Sequence, residues 1–206
     1  MTRSPDRPIL VLASASPRRQ ELLRNAGFEF VVRPAHIPEN RLAGEHPEAY
    51  VKRLAREKAR TVWEKEFNAK DAKERKAVMV LGADTTVVVD EHVLEKPRDA
   101  RDAARMLRLL SGRTHQVMTG VCLVAEGVEK MGCEITQVTF SRLSESDIAG
   151  YIATGEPMDK AGAYAIQGIA SRWIPRIEGD YGNVVGLPVA MVCGMLRDAE
   201  RKFAER

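Results

Sequence analysis

The sequence of 206 residues is poor in cysteine and in aromatic residues: it has three cysteines and 5% Phe, Trp and Tyr. An odd number of cysteines without close spacing argues against a disulfide-stabilised scaffold and against a structural zinc site. No apolar run reaches the roughly 18–20 residues that a membrane-spanning helix needs. Residues 1–8 also lack the apolar core of a signal peptide. We therefore expect a cytoplasmic protein with no membrane partner.

A large excess of one charge is also missing. There are 32 Lys and Arg against 29 Asp and Glu, which gives a net charge of +3, too small to predict nucleic-acid binding. Basic residues are concentrated between Lys52 and Lys76, where ten basic residues accompany five acidic ones. A solvated helix face explains such a mixture, and a nucleic-acid contact surface is the alternative. We expect no nucleic-acid partner.

The order of the predicted elements favours an α/β fold with a mixed, twisted sheet and flanking helices. With no internal repeat and no low-complexity linker, residues 1–206 are expected to form one domain. Ser16 and Asp99 are suited to start helices, and Ser144 with Asp147 forms a capping box. Apolar runs predict strands at 9–13, 28–32, 78–89, 117–125, 133–140 and 169–177. Periodicity predicts helices at 17–27, 47–66, 99–112, 144–154 and 188–202. A glycine-rich loop is expected at 179–186.

Residues 14–19 follow the first predicted strand and lead into a helix. Unpaired backbone N–H groups and the helix dipole make such a start an anion site. Arg18 and Arg19 add two guanidinium groups that can grip phosphate bidentately. The glycines of a Walker loop or a dinucleotide fingerprint are absent, so neither of those motifs is present.

Lys58 stands where an apolar residue is expected. At 100° per residue it falls on the same stripe of a predicted helix as Val51, Leu54 and Val62. Its stem can lie along the core while the ammonium reaches water. Alternatively, the ammonium faces a polar cleft.

Asp84 interrupts the most apolar stretch of the sequence, residues 78–89. A charge in a buried strand is costly unless it is paired or bound to a metal. The carboxylate either caps a neighbouring backbone turn or has a chemical use. Gly82, two residues earlier, is expected to mark a bend or bulge, where the backbone turns or a ligand approaches.

These features together suit a polyphosphate substrate, which needs cations, a hard divalent metal and an acid that holds metal or water. The four histidines have no metal-like spacing, and no residue set resembles a Ser-His-Asp triad. The available groups are arginines 18 and 19, lysines 58, 96 and 160, and acids 39, 84 and 159.

A series of short motifs resembles the Maf family of nucleoside triphosphate pyrophosphatases. The motifs occur in family order from about residue 9 to residue 196. They lie at residues 14–23, 57–59, 82–85, 95–97, 110–112, 119–121, 155–164, 166–168 and 184–188.

The resemblance implies a fold like that of the inosine triphosphate pyrophosphatases, with two lobes around a nucleotide cleft. It implies cleavage of a nucleoside triphosphate to the monophosphate and pyrophosphate with a divalent cation, Mg²⁺ or Mn²⁺. A homodimer is compatible with it. So is the alternative of a non-catalytic regulator of cell division that binds nucleotides or nucleic acid.

Roles for individual residues also follow from the resemblance. Asp84 matches the proton acceptor, and Glu39, in the Pro38-Glu39 pair, stands where many members have two acids; both are candidates for holding the metal. The positions that set nucleotide preference are Arg18, Thr85 and Gln167, and the phosphate-binding candidates are Ser14, Ser16, Arg19, Lys58, Lys96 and Lys160.

Within the family, four markers place this sequence with the branch that acts on dTTP and UTP. They are the paired arginines after Ser-Pro, Thr85 after the aspartate, Asp-Lys-Ala-Gly at 159–162, and Ile-Gln-Gly at 166–168. A neutral amide at Gln167 can both donate to and accept from a pyrimidine edge. A pyrophosphatase of the 7-methyl-GTP branch is the alternative.

Overall fold

The computed structural model describes residues 8–68 and 78–204. The end of the basic cluster, at residues 69–76, lies outside the described residues, as do residues 1–7. Within the described part, one seven-stranded sheet carries helices on both faces. The strands are β1 (Ile9–Leu12), β2 (Val31–Val32), β3 (Val78–Val89), β4 (His92–Leu94), β5 (Thr114–Ala125), β6 (Val128–Thr139) and β7 (Arg176–Glu178).

The helices lie largely where periodicity and caps predict them. Asp99 accepts from the backbone of Asp102, and Ser144 and Asp147 cap each other, as the sequence predicts. The helices are α1 (Pro17–Asn25), α2 (Pro47–Asn68), α3 (Ala100–Leu110), α4 (Glu145–Ala153), α5 (Tyr181–Val185) and α6 (Val189–Ala204), with 3₁₀ segments at Glu156–Asp159, Ala161–Ala163 and Ile169–Trp173. No helix within 8–68 or 78–204 combines the length and the apolarity needed to cross a bilayer.

The sheet is mixed, as predicted. Its strand order is β2-β1-β3-β5-β6-β7, with β4 also paired to β3. β1 runs parallel to β2 and β3, whereas β3, β5, β6 and β7 are antiparallel to their successive neighbours. The division into two lobes within one domain stays a prediction.

Even-numbered residues of β3 and β5 face α2, because successive side chains of a strand point to opposite faces. Val51 and Leu54 of α2 are fully buried against this face. Two glycines allow the helix to lie close: a Cβ at Gly82 would lie 2.1 Å from the carbonyl oxygen of Ala55, and one at Gly120 would lie 2.3 Å from that of Val51. The prediction of a bend or bulge at Gly82 is wrong, since this residue pairs in regular register with β5 and a helix, not a ligand, approaches it.

Odd-numbered residues of the same strands face the other side of the sheet and form two separate apolar clusters. Ala83 belongs to the cluster under α1 and α6, whereas Val87 and Val117 belong to the cluster under α3 and α4. Between the clusters, Thr85 of β3 stands directly opposite Thr119 of β5. A pair of hydroxyl groups therefore divides the core on this face.

β5 and β6 begin at Thr114 and Val128, earlier than the predicted 117 and 133, and three other predicted segments also differ from the structure. Residues 169–177 form a 3₁₀ segment and only a short β7, because the Glu156 carboxylate accepts from the Ile169 N–H and turns the chain there. The predicted loop at 179–186 contains α5, which Asp180 caps. The predicted strand at 28–32 shortens to β2, since the N–H of Phe28 still bonds to the Leu23 carbonyl at the end of α1.

Candidate active site

The site lies at a gap in the sheet beside β3. On one side, β3 pairs with β1 up to Leu81 and with β4 from Val87 to Val89. Between them, residues 82–86 pair with β5 alone among the described strands. A cavity of about 510 Å³ opens here. It is lined by all eleven residues that the sequence predicts for the site: Ser14, Ser16, Arg18, Arg19, Glu39, Lys58, Asp84, Thr85, Lys96, Lys160 and Gln167.

The loop after β1 forms one wall of the cavity. Ser16 caps α1 by accepting from the Arg19 N–H, and Pro17 occupies the first turn of the helix. Ser14, which is buried, accepts from the Ser16 N–H at 3.3 Å. The predicted arrangement of a strand, a short loop and a helix start is therefore present, and its role as an anion site stays a prediction.

Arg19 is fixed by three contacts with the protein. Its Nε donates to the Gly186 carbonyl at 2.8 Å, one terminal nitrogen donates to the Ser14 hydroxyl at 3.1 Å, and the other donates to the Thr85 hydroxyl at 2.9 Å. A guanidinium group has five N–H donors, and described residues accept from three of them, which leaves two for a ligand. Burial lowers the pKa of Arg19, and the charge of Asp84 acts in the opposite direction.

Lys58 connects the two predicted metal-facing acids. Its Nζ lies 2.6 Å from Asp84 Oδ1 and 2.7 Å from Glu39 Oε1. Lys58 and Asp84 are both buried, with 6% and 8% of their surfaces exposed. Of the two interpretations of Lys58, the structure supports a lysine that faces a polar cleft.

The two carboxyl groups differ in their electrostatic environment. Burial raises the pKa of Asp84 above its ordinary value, although the charges of Lys58 and Arg19 act against the shift. Glu39 is half exposed; partial burial acts to raise its pKa, but the hydrogen bond from Lys58 and the charges of Lys58, Lys96 and Arg19 lower it overall. The surroundings therefore shift the pKa values of the two carboxyl groups in opposite directions.

An ion pair joins two residues that line the cavity. Arg18, on α1, pairs with Asp159 at 3.2 Å, although the two residues are 141 positions apart. Lys160 also contacts the Asp159 carboxylate and donates to the Glu156 carbonyl at 3.3 Å. Because Arg18 and Asp159 are partly exposed, their pair contributes little to stability.

Sequence reasoning missed Tyr50. Its hydroxyl lies 2.7 Å from the Glu39 carbonyl and 2.7 Å from the Glu95 carboxylate, so it links the segments that carry Glu39 and Lys96. Burial, reinforced by Glu95, raises the pKa of Tyr50 and keeps the phenol neutral. The feature of the sequence that points to Tyr50 as a site residue is its position two turns before Lys58 on the same helix.

Among the residues that the structure describes, five cationic and four anionic side chains line the cavity, so the charge of this lining nearly balances. A triphosphate carries several negative charges, and these residues neutralise it only in part. The cations are Arg18, Arg19, Lys58, Lys96 and Lys160, and the anions are Glu39, Asp84, Glu95 and Asp159.

The donor set fits a divalent cation that arrives with phosphate ligands. Glu39 and Asp84 converge on one positive group, the Lys58 ammonium. Mg²⁺ commonly uses one or two carboxylates and completes its coordination with phosphate oxygens and water. No group of three or more His, Cys, Asp or Glu residues in the described part of the chain is arranged to hold a metal. His115, for example, is buried, and its Nε2 lies 2.8 Å from the hydroxyl oxygen of Tyr164.

Comparisons with known proteins identify relatives that match most of the chain. The chain is 59% identical over 190 residues to the dTTP/UTP pyrophosphatase of Koribacter versatilis (strain Ellin345), which covers 92% of this chain and 94% of the relative. It is 50% identical over 196 residues to the protein of the same name from Anaeromyxobacter dehalogenans (strain 2CP-C), covering 93% and 94%. For the protein of that name from Salmonella typhimurium (strain LT2), the identity is 54% over 181 residues, covering 87% of each. Residues 9–199 match the family described as Maf-like protein, and the chain belongs to that family.

Proposed function

We propose that this chain is a nucleoside triphosphate pyrophosphatase that hydrolyses dTTP and UTP to the monophosphate and pyrophosphate. The observation that carries the proposal is the buried carboxylate of Asp84 in a cavity lined by five cationic side chains. The printed names of relatives that are 50–59% identical support the choice of dTTP and UTP.

Asp84 is the proposed proton acceptor for the attacking water. Lys58 contacts its Oδ1, which leaves Oδ2 for that water. Because burial raises its pKa, Asp84 is a better base than an exposed aspartate. In this mechanism the water attacks the α-phosphorus, its proton passes to Asp84, and the bond to the bridging oxygen breaks, so that pyrophosphate leaves.

The cationic residues have the role of stabilising the triphosphate and the leaving pyrophosphate. Arg19, Lys58, Lys96 and Lys160 line the cavity, and Ser14 and Ser16 shape the loop at the start of α1. Asp84 and Glu39 would hold a divalent cation, Mg²⁺ or Mn²⁺. When bound, such a cation supplies positive charge and lowers the pKa of bound water.

Arg18, Thr85 and Gln167 are the proposed determinants of nucleotide preference, and all three line the cavity. A panel of UTP, dTTP, CTP, GTP and 7-methyl-GTP, compared by kcat/KM, tests this choice. Highest values for 7-methyl-GTP would favour the other branch. The cytoplasmic location and the homodimer stay predictions.

Replacing Asp84 by asparagine tests the mechanism. The variant should bind UTP but release pyrophosphate about 10²–10⁴ times more slowly, the usual range for a positioned base. Asp90→Asn is the matched control, because Asp90 directly follows β3, is exposed and pairs with Arg113 outside the cavity. An active Asp84→Asn variant would remove Asp84 from the mechanism, and release of orthophosphate without added inorganic pyrophosphatase would show cleavage of a different bond.

A further inference from the structure

The two threonines that divide the odd-numbered face of the sheet contact each other. The hydroxyl oxygens of Thr85 and Thr119 lie 2.9 Å apart across β3 and β5. Thr85 lines the cavity, whereas Thr119 is fully buried and does not reach it. A buried hydroxyl in an apolar core is costly unless its hydrogen bonds are satisfied.

The distances favour one direction for these hydrogen bonds, since a carbonyl acceptor lies 3.2 Å from the Thr119 hydroxyl but 3.4 Å from the Thr85 hydroxyl. Thr119 Oγ1 donates its proton to the carbonyl of Asn183 at 3.2 Å. A hydroxyl has only one proton, so in the contact between the threonines Thr85 is the donor and Thr119 the acceptor. The Thr85 oxygen then accepts from a terminal nitrogen of Arg19 at 2.9 Å. The chain of donors runs from Arg19 through Thr85 and Thr119 to Asn183.

α5 supplies both ends of this arrangement. The Asn183 carbonyl accepts from Thr119, and the Gly186 carbonyl, at the end of the same helix, accepts from Arg19 Nε at 2.8 Å. Asn183 is itself fixed, because its side-chain amide donates to the Val117 carbonyl at 3.0 Å and to the Thr136 hydroxyl at 2.8 Å. Arg19 is thus held by α5 directly and, through two threonines, by the same helix again.

We propose that Thr119 is a positioning residue for phosphate binding: by accepting the Thr85 proton, it leaves the Gly186 carbonyl to Arg19 Nε and so orients that guanidinium group toward the triphosphate. The inference rests on the proposed function for its substrate. Without the Thr119 hydroxyl, Thr85 can turn its proton to the Gly186 carbonyl, which lies 3.4 Å away and already accepts from Arg19 Nε. Arg19 then shares one acceptor with Thr85 and is held less firmly.

Thr119→Val tests the proposal, since valine keeps the shape of threonine and removes the hydroxyl. We expect kcat/KM for UTP to fall about tenfold, and the Kd for inorganic tripolyphosphate in calorimetry to rise by a similar factor, the upper end of what one hydrogen bond between neutral groups contributes. Thr119→Ser keeps the hydroxyl and should stay within about twofold of the original chain. If Thr119→Val does not fold, Thr119→Cys, with a weak donor, takes its place.

Thr114→Val is the matched control. Thr114 is on the same strand, and its hydroxyl contacts that of Thr139 at 2.9 Å across β5 and β6, away from the cavity. This variant should keep its activity and its tripolyphosphate affinity.

A double variant separates positioning from a general structural effect. If Thr119 acts through Thr85, Thr85→Val with Thr119→Val loses no more than Thr85→Val alone. Additive losses, an equal loss in Thr119→Ser, or an unchanged Thr119→Val would each overturn the proposal. If the original chain releases no pyrophosphate but Thr119→Val still weakens tripolyphosphate binding, the proposed function fails and the role of Thr119 in orienting Arg19 stands.

Discussion

Replacing Lys58 by methionine removes the positive charge that lies 2.6 Å from Asp84 and 2.7 Å from Glu39. Methionine keeps most of the length of the stem, so the packing of α2 is retained. Asp84 then remains buried near a second carboxylate, with Arg19 as its remaining nearby cation. We expect a loss in the free energy of unfolding.

The size of the expected loss in the free energy of unfolding depends on how deeply the two carboxylate partners of Lys58 are buried. Removing one partner of a buried ion pair costs about 3–5 kcal/mol. The side chain of Glu39 is 51% exposed, so water replaces much of what it loses. Nearly all of the cost therefore falls on Asp84, and we expect about 3 kcal/mol at pH 8, the lower end of that range.

The loss should depend on pH. Without Lys58, the pKa of the buried Asp84 rises further, so the folded state binds a proton that the unfolded state has already released. Stability of the Lys58→Met variant therefore falls as pH rises above the unfolded value near 3.8. The difference from the original chain should be smaller at pH 5 than at pH 8.

Urea unfolding followed by circular dichroism at pH 5 and pH 8 measures both effects. Lys52→Met is the control: Lys52 is also on α2 and pairs with Glu48 at 3.4 Å, but both side chains are partly exposed, so we expect a change of at most about 1 kcal/mol. Adding Asp84→Asn to Lys58→Met should recover most of the stability and none of the activity. Additive effects of the two substitutions on stability would refute the reasoning.

Two further predictions concern the core. Gly120→Ala places a Cβ 2.3 Å from the Val51 carbonyl oxygen and must displace α2, so we expect the free energy of unfolding in urea to fall by about 2–4 kcal/mol. The control is Gly194→Ala on α6, where the added Cβ meets open space and should leave stability unchanged or raise it by up to about 1 kcal/mol. Equal stabilities of the two variants would contradict the close approach of α2. The second prediction concerns His115, whose pKa burial lowers from 6.5 to about 4. Between these pH values the unfolded state binds more protons than the folded state, so the free energy of unfolding should rise by up to about 3 kcal/mol from pH 4 to pH 6.5. His115→Gln should show a shallower rise, and an unchanged slope would exclude this residue as its source.

The sequence alone predicts the structure correctly where a local pattern of residues determines it. The long apolar run of β3 forms a strand of 12 residues, and caps at Ser16, Asp99 and Ser144 start helices where expected. These signals depend on residues within one turn or one strand. The prediction of a strand at 169–177 is wrong because the carboxylate that turns this segment belongs to Glu156, 13 positions before Ile169.

The partners of Lys58 could not be predicted from its periodicity. Its place on the stripe with Leu54 indicated that it faces inward, and Asp84 was recognisable as a charge within a strand. That the two meet depends on how α2 crosses β3, and this is set by close contacts at Gly82 and Gly120. A single sequence gives no information on what packs over a glycine, so it predicts a bend at Gly82 where the structure has a close contact with α2.

The position of the site on β3 follows from the alternation of the strand. Asp84 and Thr85 are neighbours, so their side chains point to opposite faces of the sheet. Asp84 contacts Lys58 on α2, and Thr85 contacts Arg19 on α1. Both nevertheless line one cavity, because among the described strands β3 has a neighbour on only one side between residues 82 and 86. A slip of one residue would exchange the two faces and bring a hydroxyl to the lysine and a carboxylate to the arginine. The register of β3 against β5 therefore determines which charge lies on which wall, and the chemistry depends on this register as much as on the residues themselves.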